Sequence, residues 1–579
     1  MRVILARFDR LAVATLLLAL LTACDGHRTV PGVPPARQSE DARTASRYMV
    51  AAADPHAVEA GLAVLRRGGN AMDAAVAVQL VLGFVEFPET GLGGGGFLLY
   101  RDGASGHLQV YDGRETAPAA AQPDRFQLLG LPLPWPLAVV SGRAVGVPGL
   151  VAMLASAHHA HGTLPWDELV PPAAVLAERG VAPPPRLVRQ ADTAPLLRAF
   201  GDVGGYLDRA LEATPPRLVN RDYAATLRLL AREGPGAFYR APLAGAVVAR
   251  ARARPWLPSD LTLADFAAYR ARERAALCAP YRHYRVCSIG PPSSGGLALL
   301  QMLGMLERFD LATLPVAGPR AVHLIAEASR LAFADRERHV GDPDFVDVPT
   351  AALLAPAYLE ARAALIDPRQ AREAALAGAP PRAVARAATP PPAGRAGGTS
   401  HFSIIDADGN VVALTSSNEA PFAGRMMASG FLLNNQLTDF SFVPMRDGRA
   451  HPNRVAGGKR PRSSMTPVIV FDASGAVRLV IGSRGGSRII GYVAKAVIGV
   501  LDWNLDVQDA IALPNFVHRG DRLELERGTT LAGHVGALER YGHRVRVCEL
   551  PSGLHGIERV GEAWRGGADP RLDGVARGD

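Results

Sequence analysis

The chain of 579 residues carries 63 Lys+Arg against 55 Asp+Glu, a formal net charge of +8, with 48% hydrophobic and 20% charged residues, a composition that excludes a disordered, collagenous or coiled-coil protein. At about 150 residues per domain the length would suggest about four domains, but large layered α/β proteins exceed that average, and a large buried core is within reach. The positive balance does not point to nucleic acid, because only two lysines are present (Lys459, Lys495) and the arginines are spread along an Ala/Pro/Gly-rich chain.

In chain order, Arg2, Arg7 and Arg10 precede an apolar run from Leu11 to Ala23. That run is too short to cross a bilayer, which takes about 20 residues. Leu21-Thr22-Ala23-Cys24 places small residues before a cysteine. It resembles the bacterial lipoprotein signal, in which the cysteine is lipidated and becomes the mature N-terminus; an ordinary cleaved signal with a chance cysteine is the alternative. Both predict export to the periplasm. On the lipoprotein reading, residues 1–23 are the signal, Cys24 anchors the protein to a membrane, and residues 24–47 are a polar, Pro-bearing tether.

Pro55 to Arg67 reads as a helix closed by Gly68-Gly69, and Asn70 caps a second helix reaching about Phe87 that is apolar on most faces. From Val139 to Leu230 loops alternate with helical stretches, and Ala321 to Arg338 is a further strong helix. Residues 372–398, rich in Ala, Pro, Gly and Arg and without an apolar period, form a flexible connector. Strand-like runs follow at Thr399 to Ile405 and Val411 to Ser417, around the turn-forming Asp406 to Asn410. Further strands are expected at Gly430–Leu433, Pro467–Phe471 and Val477–Ile481, then a helix from about Arg488 to Leu501.

Export permits disulfides. Cys278 and Cys287 flank a run whose midpoint falls between Arg282 and His283, so a hairpin there would place them opposite each other. Two independent buried thiols are the alternative, and Cys548 is left over in either case. No cysteine pair has metal-ligand spacing and no HExxH occurs, so neither a metal nor a cofactor is expected.

The expected hairpin carries the chemistry. With residues 406–410 as its loop, Ile405 pairs with Val411 and Thr399 falls opposite Ser417. A threonine hydroxyl held by strands directly after Gly397-Gly398 can attack its own preceding carbonyl, cut the chain and leave a free α-amine. That amine, with a reference pKa of about 7.7 to 8.0, is a built-in general base. Gly482 to Arg488 then lies between a strand and a helix, where unpaired N–H groups can hold an oxyanion. It lacks the Lys-Ser/Thr ending of a phosphate loop. Gly91 to Gly96 matches GxGxxG only formally, since it leads into the strand-like Phe97 to Tyr100 and not into a helix.

These features accompany an ordered set of motifs: Gly68-Gly69-Asn70-Ala71-Met72-Asp73-Ala74-Ala75, Gly93-Gly94-Gly95-Gly96-Phe97, Arg114-Glu115, Pro292-Ser293-Ser294-Gly295-Gly296 and Gly341-Asp342-Pro343-Asp344-Phe345. The set continues through Thr399-Ser400-His401, Leu433-Asn434-Asn435-Gln436, Asp439-Phe440-Ser441, Arg460-Pro461-Arg462-Ser463-Ser464-Met465 and Gly485-Gly486-Ser487-Arg488. From about Val50 to Asp573 the sequence resembles the γ-glutamyltransferases, which are self-cleaving N-terminal-nucleophile hydrolases.

The resemblance implies a four-layer αββα fold built from a large subunit, residues 48–398, and a small subunit, residues 399–579, cut from one precursor. It implies Thr399 as nucleophile, Ser417 as the hydroxyl beside it, and Gly485 and Gly486 as the oxyanion glycines. Arg114, Ser463 and Ser464 match the groups around the substrate α-carboxylate, and Gln436 and Asp439 those around its α-ammonium. The implied partners are glutathione and other γ-glutamyl compounds as donors, with water, amino acids or peptides as acceptors.

Two departures stand out. Where a familiar bacterial relative has Thr and Asn, this chain has Ser417 and Glu419, which makes Glu419 a candidate extra ligand. Between Asp439 and Ser463 the chain is shorter than in that relative and has no tyrosine, in a stretch that can form a lid over the substrate in the family. Two other functions remain open: an acylase of the same superfamily that removes glutaryl from a cephalosporin nucleus, and an inactive lipoprotein that binds γ-glutamyl peptides.

Overall fold

Asn70 starts the central helix of one outer layer. In the computed structural model its side chain accepts the N–H groups of Met72 and Asp73, and Asp73 in return accepts the N–H of Asn70, a reciprocal cap that satisfies otherwise orphaned donors. Helix α1 (Pro55–Arg66) precedes it, and every residue of α2 (Ala71–Val85) is buried, as a helix apolar on all faces requires. The structure describes residues 43–194, 197, 202–380, 397–446 and 448–579. The expected signal, Cys24, most of the tether and residues 381–396 of the connector lie outside the described residues.

Thirteen strands form one hydrogen-bonded ladder: β1 (Arg43–Ala45), β2 (Met49–Ala52), β3 (Gly95–Arg101), β4 (Leu108–Gly113), β5 (Arg272–Tyr281), β6 (Tyr284–Ile289), β7 (Gly398–Ile405), β8 (Val411–Glu419), β9 (Val468–Phe471), β10 (Val477–Gly482), β11 (His555–Val560), β12 (Ala563–Ala568) and β13 (Val575–Gly578). Their order is β1-β12-β11-β10-β9-β6-β5-β4-β3-β8-β7-β2-β13. The long β5 belongs to two layers. Residues 272–275 pair with β4, while residues 276–281 pair with β6.

The layers pack face to face. Met49, Phe97, Leu99, Ile405, Val411 and Ala413 of the first meet Cys287, Ile289, Ile469, Phe471, Val480 and Ile557 of the second. The opposite faces of the same strands are apolar as well. Leu98, Tyr100, Phe402, Ile404, Val412 and Leu414 pack on α2 and its neighbours, among them α3 (Leu150–His161). Val468, Val470, Leu479 and Ile481 pack on α4 (Gly295–Leu306), α5 (Pro319–His339) and α6 (Ile489–Leu501). Because successive side chains point to opposite faces, a strand buried on both sides reads as a continuous apolar run. The result is the four-layer αββα fold, drawing strands from both sides of Thr399.

The structure corrects one boundary. Residues 43–45, placed in the tether, are a strand paired with residues 564–566 of β12, so the folded body begins before residue 48.

The glycine run 93–96 also finds its reason here. A Cβ on Gly93 would lie 1.9 Å from the Leu432 carbonyl oxygen, and one on Gly94 2.2 Å from that of Ser417. The run lets the backbone approach the Thr399 region closely.

Candidate functional site

The β7–β8 hairpin runs in the expected register from Ile405↔Val411 to Ser400↔Ser416, and then Gly398 pairs with Glu419. Ser417 and Asn418 therefore oppose Thr399 alone, a bulge of two residues against one. It turns Ser417 onto Thr399. The Thr399 hydroxyl donates to Ser417 Oγ at 3.3 Å, and the Ser417 hydroxyl donates a short hydrogen bond to the Gly398 carbonyl oxygen. The N–H of Glu419 donates to the same Oγ at 2.8 Å. One hydroxyl thus touches both the Thr399 hydroxyl and the carbonyl that precedes Thr399.

Gly485 and Gly486 have φ of 130° and 59°, values that side-chain-bearing residues rarely adopt. Gly397 packs against Gly486 so closely that a Cβ would lie 3.1 Å from the Gly486 Cα. The glycine turn therefore abuts the segment that would be cut. Gly486 lines the site cavity, and Gly485 sits behind it against Tyr492.

A cavity of about 970 Å³ joins Thr399, Ser417 and Gly486 to Arg114, Glu419, Gln436, Asp439, Ser463 and Ser464. Arg114, at the end of β4 and 0% exposed, is clamped by backbone: Nε donates to the Pro461 carbonyl and Nη2 to that of Arg462, each at 3.1 Å. Nη2 also donates to Asp439 Oδ2 at 2.6 Å. Gln436 Nε2 donates to the same carboxylate oxygen at 2.8 Å, which fixes the amide with Oε1 as its remaining acceptor.

Among the described residues two buried polar atoms beside Asp439 have no hydrogen-bond partner: the donor Arg114 Nη1, which has Glu115 Oε2 at 3.7 Å, and the acceptor Gln436 Oε1. Buried polar atoms are nearly always paired, so such exceptions ask for a ligand. An α-amino acid head group, with an anion and a cation on one carbon, would satisfy both. Ser463 Oγ accepts the Met465 N–H at 3.1 Å and Ser464 Oγ accepts Arg336 Nη2 at 2.9 Å, and among the described residues neither hydroxyl donates. Both can therefore donate to a carboxylate.

Sequence reasoning missed Arg336, which follows from no local pattern because it sits near the end of an amphipathic helix. It is buried, and burial followed by Arg462 lowers its pKa to about 10, so it remains a cation near neutrality.

Glu419 sits at φ +83° and reaches Asn435 Nδ2 through a short hydrogen bond. Burial and then the Asp439 carboxylate push its own carboxyl well above the usual range. Glu115 lies 3.7 Å from Arg114 and is pushed up to about 8, by burial against the pull of that guanidinium.

Glu89 was also missed. Its carboxylate accepts the Thr399 N–H at 3.1 Å from 310 positions away. The only local signal was an acid two residues before Gly91.

Cys278 and Cys287 are directly paired across β5 and β6, and they form a disulfide. Cys548 is free and half-buried. The segment between Asp439 and Ser463, though short, supplies Phe440, Phe442, Val443 and Arg446 to the cavity wall.

The family model described as Gamma-glutamyltranspeptidase matches residues 57–578. The Escherichia coli K12 glutathione hydrolase proenzyme is 36% identical over 592 residues, covering 97% of each chain. An acylase ACY 1 proenzyme of Pseudomonas sp. SE83 is 34% identical, over 88% of this chain and 90% of that one. Among solved structures, a cephalosporin acylase from Bacillus halodurans superposes with a TM-score of 0.82 at 25% identity, covering 95% of this chain and 99% of that chain.

Proposed function

The chain belongs to the γ-glutamyltranspeptidase family and is an enzyme of the glutathione hydrolase and γ-glutamyltransferase type; from that premise we propose that it is an exported precursor that cuts itself before Thr399 and then uses Thr399 to transfer γ-glutamyl groups. In the first reaction Thr399 Oγ adds to the Gly398 carbonyl carbon. The C–N bond breaks, the hydroxyl proton passes to the nitrogen, and water hydrolyses the ester. Ser417, which donates to the Gly398 oxygen, supports this step by stabilising charge on that oxygen.

In the second reaction Thr399 attacks the γ-carbonyl of the donor and its own α-amine takes the hydroxyl proton. The N–H groups of Gly485 and Gly486 face the oxyanion. The leaving amine departs with a proton, and a γ-glutamyl ester remains. Water resolves it to glutamate, and an amino acid or peptide resolves it by transfer.

The observation that carries the substrate class is the pair of buried atoms Arg114 Nη1 and Gln436 Oε1 beside Asp439, which have no hydrogen-bond partner among the described residues, in the cavity that holds Thr399. The likeness to acylases supports a second reading, removal of a glutaryl group. Glutaryl lacks the α-ammonium, however, and would leave the buried acceptor Gln436 Oε1 without a donor. Export is supported by the leader sequence and by the Cys278–Cys287 bridge, which fits an oxidising compartment, and a lipid anchor at Cys24 by the small residues that precede that cysteine.

The test is release of glutamate from glutathione by the purified protein, alone and with a dipeptide acceptor. Glutamate, joined by a γ-glutamyl peptide when the acceptor is present, is the expected result. No product from glutathione, with turnover of a glutaryl amide, would establish the acylase reading instead.

A further inference from the structure

Glu89 lies in the turn between α2 and β3, 0% exposed, and ties together three parts of the site. Oε2 accepts the Thr399 N–H at 3.1 Å. Oε1 accepts Arg484 Nη2 at 2.8 Å, from the residue preceding Gly485, and Gln190 Nε2 at 2.8 Å. The Glu89 backbone carbonyl accepts the N–H of Asn418, next to Ser417, at 2.9 Å.

Resting on the reading of Thr399 as an N-terminal nucleophile, we propose that Glu89 is a positioning residue. Once the chain is cut, its carboxylate holds the freed α-amine by a charge-assisted hydrogen bond and aims that amine at Oγ1. Cleavage turns a nitrogen with one hydrogen into an amine, which keeps a hydrogen directed at Oε2 and gains a lone pair for the proton from Oγ1. Without that anchor the new terminus would rotate freely about the Thr399 backbone, and the general base would lose its geometry.

The charges around Glu89 decide how strongly it favours the protonated amine. A carboxylate at this distance stabilises ammonium, and nearby guanidiniums oppose it. Arg484 faces Glu89 from the loop after β10. Arg186 approaches to 3.5 Å from the helix Pro185–Thr193 and is also paired with Glu86. Asp573, Asp54 and Arg189 act on Arg186 from further out. His555, held down to about 4 chiefly by burial, is uncharged at neutral pH, and burial followed by Asp439 raises the Glu419 carboxyl above the usual carboxylate range.

Replacing Glu89 by Gln keeps an acceptor, removes the negative charge and leaves the two arginines in place. Replacing Arg186 by Gln weakens the neutralisation of Glu89 and frees Glu86. The two changes act on the amine in opposite directions.

The experiment is kcat/KM for a γ-glutamyl anilide against pH in wild type, Glu89→Gln and Arg186→Gln. The acidic limb reports the amine that must be neutral. It should move down by about one unit or more in Glu89→Gln and up in Arg186→Gln. Opposite shifts are not produced by a merely structural role. The pH dependence of acylation of the Thr399 amine by an amine reagent, read on the mass of the small fragment, should show the same displacements. If Glu89→Gln does not fold, Arg186→Gln decides alone. Limbs at the wild-type position in every folded variant, with the small fragment starting at Thr399, would overturn the role of Glu89 and leave the nucleophile intact. A wild-type fragment starting elsewhere would overturn both.

Discussion

The guanidinium of Arg114 and the carboxylate of Asp439, assigned to opposite charges of the same substrate, lie 2.6 Å apart and bind each other. The side chain of Asp439 keeps 35% of its exposure, while that of Arg114 has none. On the proposed reading an incoming amino acid head group would replace part of an existing pair, offering its carboxylate to Arg114 and its ammonium to Asp439. Such a site would discriminate against a ligand with only one of the two charges.

Losing one charge-assisted bond to an ammonium costs about 1.5 to 3 kcal/mol. At about 1.4 kcal/mol per factor of ten, Asp439→Asn should lower kcat/KM for γ-glutamyl anilides roughly tenfold to a hundredfold, while sparing or improving glutaryl anilides. Arg114→Ala should weaken both donors, since both carry the carboxylate. Equal losses on the two donors with Asp439→Asn would remove that residue from ammonium recognition.

Glu419 gives the ammonium side a pH dependence. Burial and the neighbouring Asp439 hold its carboxyl protonated above the usual carboxylate range, and an ammonium favours the ionised form. Binding of glutamate should therefore release a proton, and affinity should rise with pH from the ordinary carboxylate range through the raised pKa. Calorimetry of glutamate binding in two buffers of different ionisation enthalpy measures that proton. Glu419→Gln should abolish the release; an unchanged release would assign the proton elsewhere.

Ser417 should govern maturation as well as turnover. Its hydroxyl donates to the Gly398 carbonyl, and losing one donor to a developing oxyanion costs about a hundredfold to a thousandfold in rate. Ser417→Ala should slow the appearance of the two fragments on a denaturing gel by that factor, and Ser417→Thr should restore it. Cleavage of Ser417→Ala at the wild-type rate would contradict the role.

The address is tested at Cys24. Cys24→Ser should move the protein from the membrane to the soluble fraction, because a single short apolar segment does not span but an acylated terminus anchors. A wild type already fully soluble would rule the anchor out.

Much of this site was legible because it is local. The Thr399–Ser417 hairpin follows from period-two runs around a five-residue turn, the Asn70 cap from its own next three residues, and the Cys278–Cys287 pairing from a symmetric turn. What sequence reading missed is long-range. Glu89 meets Thr399 across 310 positions, and Arg336 meets Ser464 across 128. The strand β5 serves two layers at once, and β1 with its partner β12 joins chain ends that composition alone had left apart. No periodicity encodes such contacts, because each depends on how separate elements pack.

The central claim, that Thr399 becomes an N-terminal nucleophile carrying a γ-glutamyl group, is tested most directly by mass spectrometry of the acid-quenched enzyme during turnover of a γ-glutamyl donor. A small fragment spanning 399–579 that gains the mass of one γ-glutamyl group on Thr399 is the expected result, with neither fragment nor adduct in Thr399→Ala. A fragment beginning at another residue, or the adduct on the large fragment, would contradict it.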